Sequence, residues 1–107
     1  MPEQTTSVIA CNPQAISERE RSLYRTLSLQ LQAAIVERHE LADGYEFSLD
    51  ENSISFTDAA KWVDMERRCC PFLILELHVS GTGNCLLKLL GPEGTNAIIE
   101  HEFLKEY

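Results

Sequence analysis

The chain contains no uninterrupted apolar run near the ~20 residues that a membrane-spanning helix requires, so no such helix is expected. Basic residues are scarce: nine Lys and Arg stand against 17 Asp and Glu, a formal net charge of −8. Such a surface repels phosphate backbones and anionic lipids, which argues against nucleic-acid and membrane partners. The opening Met1-Pro2-Glu3-Gln4-Thr5-Thr6 has neither a basic segment nor an apolar one behind it. No secretory leader is therefore expected, and the cytoplasm is the default compartment. A phosphate-cradling glycine loop is also missing. Gly81-Thr82-Gly83 reads as a hairpin turn, and Gly91-Pro92-Glu93-Gly94 precedes a helix in the wrong context. No serine sits in a nucleophile elbow. Cys-x-x-Cys is absent, and with it the usual mark of a thioredoxin-like oxidoreductase or a structural zinc site.

What is present suits one globular domain. At 107 residues, 44% hydrophobic and 24% charged, the chain can build a core without metal or disulfide staples. In a reducing compartment its four cysteines read as free thiols or ligands rather than a disulfide framework.

Periodicity predicts an α+β domain over 17–107, preceded by an extended N-terminal segment, 1–16. Ser17-Glu18-Arg19-Glu20 matches a capping box, and Leu23, Leu27, Leu31 and Ala34, joined by Tyr24, give a helix over 17–34. Segments 35–41 and 45–50 flank Ala42-Asp43-Gly44 and predict a hairpin with a three-residue loop. That register sets Leu41 across from Tyr45, His39 across from Phe47 and Glu37 across from Leu49. A two-residue turn would shift it by one and exchange the faces.

A second helix runs from Ser55 or Thr57 to about Arg68, with Phe56, Ala59, Ala60, Val63 and Cys70 on one side. Trp62 and Met65 widen that stripe. Pro71 disfavours helical dihedrals at Cys70, so the helix ends by Cys69-Cys70. A second hairpin pairs Val79 with Cys85, Leu77 with Leu87 and Leu75 with Leu89, and puts Glu76 opposite Lys88. Its other face carries Phe72, Ile74, Leu86 and Leu90, which suits coverage by another subunit. A final helix, capped at Gly94 or Thr95, turns Ile98, Ile99, Phe103 and Leu104 inward. The order is helix, hairpin, helix, hairpin, helix. It predicts a four-stranded antiparallel sheet with the three helices packed mainly on one face.

The run Glu66-Arg67-Arg68-Cys69-Cys70-Pro71-Phe72 concentrates the chemistry. Adjacent cysteines rarely bond to each other, because the small ring strains the disulfide and the peptide between them. They are better placed to present two sulfurs to a third party. Cys11 lies on the N-terminal segment and can fold back to add a third. Three thiolates suit a soft metal or metalloid: Zn(II), Cu(I), Hg(II) or As(III). Arg67 and Arg68 would compensate charge and lower a thiol pKa, whereas the helix C-terminus raises it. Cys85, inward among leucines, reads as a core residue. His39 beside Phe47, with Glu37 nearby, can form a polar pocket floor, or face water if the register slips. His78 and His101 read as surface residues.

The segment Glu66-Arg67-Arg68-Cys69-Cys70-Pro71-Phe72-Leu73 resembles the signature of an uncharacterised family of small bacterial proteins. Cys11 ahead of Ile16, Leu41-Ala42-Asp43-Gly44-Tyr45 and Gly91-Pro92-Glu93-Gly94 carry the same resemblance, over residues 11–104. It implies a coherent domain and assigns no reaction.

The leading expectation is thus a cytoplasmic thiol-bearing protein that binds a soft metal or metalloid through Cys69, Cys70 and Cys11, with Arg67, Arg68 and Pro71 in support. No catalytic residue is assigned. Two other readings compete: a structural or homodimeric interaction module without site chemistry, and a thiol redox protein or sensor.

Overall fold

The computed structural model describes residues 11–104. A single 3-10 turn, Pro13–Ala15, leads into α1 (Glu18–Ala33), β1 (Ile35–Leu41), β2 (Gly44–Leu49) and α2 (Phe56–Cys69). The chain continues through β3 (Ile74–Val79), β4 (Cys85–Leu90) and α3 (Thr95–Glu102). The architecture is the expected α+β arrangement: one antiparallel sheet in the order β1-β2-β4-β3, with the two hairpins joined between β2 and β4.

Both long helices begin as their sequences predict. Ser17 Oγ accepts the Glu20 amide, and Glu20 Oε1 accepts the Ser17 amide, which completes the capping box. Ser55 caps α2 by accepting the Asp58 amide. Leu27, Leu31 and Ala34 are buried along α1 as expected, but Leu23 is 46% exposed. On α2 the inward stripe is rotated from the expected one. Ala59, Trp62, Met65, Glu66 and Cys69 are buried, while Phe56 is 44% exposed. Trp62 anchors the interior, donating its indole N–H to Ser28 Oγ at 2.9 Å and packing on Phe103. Phe103 in turn meets Phe47 of the sheet edge-on, with ring centroids 5.4 Å apart.

The second hairpin has the predicted register at every pair, Glu76 opposite Lys88 included. The first does not. Leu41 pairs with Gly44, so the turn is the two residues Ala42-Asp43, and each strand partner moves by one. Arg38 now stands across from Phe47, His39 from Glu46 and Glu37 from Ser48, with an irregularity between Ile35 and Glu37. Gly44 belongs to this central strand because a Cβ there would lie 1.9 Å from the Leu89 carbonyl oxygen.

The helices cover the sheet face that carries Tyr45, Phe47, Leu49, Leu87 and Leu89, all buried. The opposite face alternates polar and apolar, with Ile74 60% exposed.

Candidate functional site

The site forms where the N-terminal segment crosses the end of α2. A helix leaves its last carbonyls without intrahelical partners. Asn12 supplies one, donating its backbone amide to the Cys69 carbonyl at 2.6 Å. Asn12 also starts the 3-10 turn: its carbonyl accepts the Ala15 amide, and its Oδ1 accepts the Gln14 amide. Ile16, 2% exposed, then drops into the core and anchors the segment. Residues 11–16 are thus packed onto the domain rather than standing apart from it.

This path brings Cys11 to Cys70, and the two form a disulfide with an S–S distance of 2.03 Å across 59 residues of sequence. The expectation of free thiols throughout is corrected here. Cys11 does reach the vicinal pair, but it does so covalently and to one member only. Cys69 keeps a free, buried thiol, and so does Cys85 on β4. Cys70 caps α2, with its amide bonded to the Glu66 carbonyl, and the helix ends where Pro71 requires.

Glu66 is the site residue that the sequence reading passed over. It lies one helical turn before Cys70 and is only 7% exposed. Its Oε1 accepts the Tyr24 hydroxyl, and its Oε2 lies 3.4 Å from Cys70 Sγ. In the disulfide Cys70 carries no thiol proton, so this second contact faces a carboxyl oxygen onto a disulfide sulfur. Burial pushes the Glu66 carboxyl toward its protonated form; the Tyr24 hydrogen bond works against that shift, and the nearby Glu102 charge adds to it. Burial, and after it the Glu66 carboxylate, raise the Tyr24 phenol well above its ordinary value.

Cys69 is held protonated by the same surroundings. Burial raises its thiol pKa most, Glu66 adds to the rise, and Arg68 opposes it. The arginines are occupied elsewhere. Arg68 makes a two-pronged contact with Glu20 at 3.0 and 3.2 Å, and Arg67 pairs with Asp64 at 2.8 Å. Of their expected role in compensating thiolate charge, what the structure retains is the effect of Arg68 on Cys69, which ranks behind burial and Glu66. In the Glu20 contact, the Arg68 hydrogen bond is the main reason that the Glu20 carboxyl falls to about 2.

A cavity of about 610 Å³ opens beside these groups, between the N-terminal segment, α1, the end of α2 and α3. Cys11, Tyr24, Glu66 and Cys69 line its chemical side, with Ile16 and Phe103 on its apolar side. Arg21, Arg25 and Glu102 stand around the cavity as its charged groups.

The Cys11 and Cys70 sulfurs and a Glu66 carboxyl oxygen all lie within 4.8 Å of one another, but while the two sulfurs are bonded to each other they are not thiolate ligands, and only the reduced pair could hold a metal ion. The predicted ligand Cys69 is outside that cluster. His39 and Glu37 form no pocket floor: both are exposed, on the sheet face turned away from Phe47. Glu37 borders a shallow groove with Ile35 and Leu104.

The chain matches no family model, no curated protein and no solved structure.

Proposed function

We propose that the protein is a thiol–disulfide redox protein whose working pair is Cys11 and Cys70. The observation that carries this reading is the Cys11–Cys70 bond beside an open cavity, with a buried carboxyl against one of its sulfurs. A disulfide that serves only as a staple needs neither access nor a proton carrier. In the cytoplasm, the compartment we assign to it, a disulfide is ordinarily transient and tied to catalysis or sensing. Opening this one produces two thiols 59 residues apart, on a docked segment and a helix end that are otherwise joined by the Asn12–Cys69 hydrogen bond.

Equilibration of the native protein in graded thiol–disulfide buffers, followed by alkylation and peptide mass spectrometry, tests the reading. A single reversible two-electron transition is expected at Cys11 and Cys70, with Cys85 alkylated only on unfolding and Cys69, a thiol on the cavity wall whose pKa is raised by burial, alkylated slowly. A bond that resists reduction until the protein unfolds would overturn it.

A second reading has its own support. Once reduced, Cys11 and Cys70 with Glu66 offer two sulfurs and one oxygen to a soft or borderline cation such as Zn(II) or Hg(II). Titration of the reduced protein distinguishes this site from the vicinal one: Cys11→Ser should abolish binding and Cys69→Ser should leave it intact.

A further inference from the structure

The two sulfurs of the disulfide are not equally open. Cys70 has no exposed surface and does not line the cavity, whereas Cys11 is half-buried and forms part of its wall. A nucleophile arriving through the cavity therefore meets Cys11 Sγ first. Cys11 borders a concave space of about 610 Å³, which accommodates a small organic molecule more readily than the convex surface of another protein. Arg21 and Arg25, one helical turn apart on α1, line this space, and among the described residues the exposed carboxylate of Glu102 lines it too. Arg21 is held in place by a hydrogen bond of 3.1 Å to Gln14 Oε1, on the same segment that carries Cys11.

We propose, resting on the redox reading above, that this cavity takes a low-molecular-weight thiol bearing a negative charge, which attacks Cys11 Sγ and releases Cys70. In that step the incoming thiolate sulfur forms a bond to Cys11 Sγ as the Cys11–Cys70 bond breaks. The electron pair of the broken bond leaves on Cys70 Sγ. The proton given up by the incoming thiol ends on that same sulfur, and the Glu66 carboxyl, 3.4 Å away, is the group placed to pass it on. One thiol and one disulfide enter, and one mixed disulfide and one thiol result. The Arg21 and Arg25 guanidinium groups hold the anionic end of the small molecule, which fixes the distance of its sulfur from Cys11.

The test uses the oxidised full-length chain with three reductants: glutathione as the anionic small thiol, cysteamine as a cationic one, and reduced thioredoxin as a protein dithiol. Reactions are quenched with N-ethylmaleimide and mapped by peptide mass spectrometry. The expected product carries glutathione on Cys11 and maleimide on Cys70. At equal thiolate concentration glutathione should react faster than cysteamine, and Arg25→Gln should slow glutathione roughly threefold to tenfold while sparing cysteamine. Because Arg25 is exposed, this variant is expected to fold. Glutathione on Cys70, or equal rates for the two small thiols, would overturn the proposal. Reduction by thioredoxin alone would also overturn it while leaving the redox reading standing. Failure of all three reductants on the folded protein would remove both.

Discussion

The Asn12 amide donates to the Cys69 carbonyl at 2.6 Å, so the N-terminal segment docks on the residue next to the one its cysteine bonds. The covalent link and the docking hydrogen bond are therefore neighbours but separable. Reduction removes the first and leaves the second, together with the buried side chain of Ile16.

Reduction should lower stability measurably without abolishing the fold. Closing a loop of this length removes chain entropy worth at most about 4 kcal/mol from the unfolded state. Urea unfolding with and without dithiothreitol should show a lower midpoint in the reduced wild type. Cys11→Ser/Cys70→Ser should match the reduced wild type and ignore dithiothreitol. An unchanged midpoint on reduction would contradict the constraint.

Glu66 predicts a stability that declines with pH. Its folded carboxyl is raised above the ordinary 4.5, so between the unfolded and folded values the folded state holds the extra proton. Stability from this group is full below about 4.5 and is lost as pH rises through the folded value. Gln at this position can still accept the Tyr24 hydroxyl and cannot ionise. The stability of Glu66→Gln relative to wild type should accordingly climb with pH above 4.5, and denaturant midpoints across pH 4–8 measure this. A flat difference would place the carboxyl in water.

Glu20 has the opposite sign. The Arg68 hydrogen bond, aided by the Ser17 amide, lowers its carboxyl to about 2, so its stabilising contribution is present above 4.5 and fades as pH falls toward 2. A carbon-detected NMR titration should find the low midpoint in wild type. It should move up toward 4.5 in Arg68→Ala and more weakly in high salt, because the pair is partly solvent-facing.

Gly44→Ala should be among the more damaging small changes in the sheet. The added methyl meets backbone, the Leu89 carbonyl at 1.9 Å, and neither central strand can yield without losing its ladder. A loss of about 2 kcal/mol or more is expected from thermal or denaturant unfolding. Gly81→Ala, where nothing lies within 4 Å, provides the control.

How far residues announce their place depends on how many neighbours constrain them. The second hairpin was legible because both faces of β3 and β4 favour one register: leucines inward, Glu76 opposite Lys88 outward. The first hairpin offers β1 no such pattern. Its interior is Val36-Glu37-Arg38-His39-Glu40, with Val36 exposed, so no apolar periodicity pins it, and its register follows the Ala42-Asp43 turn and the pairing of β2 with β4. Glu66 escaped notice because a carboxylate followed directly by two arginines reads as solvated. The signal lay in its spacing from Ala59, Trp62 and Cys69, a run of three, four and three along the buried stripe. The Cys11–Cys70 bond had no local trace at all, since loop closure over 59 residues is decided by where the chain folds back.

The sheet order also determines what the disulfide encloses. The loop from Cys11 to Cys70 contains α1, the first hairpin and α2, while β3, β4 and α3 lie outside it. The enclosed strand β2 takes its second neighbour, β4, from beyond the loop. The hydrogen-bonded seam between β2 and β4 is therefore where the covalently closed half of the chain meets the open half.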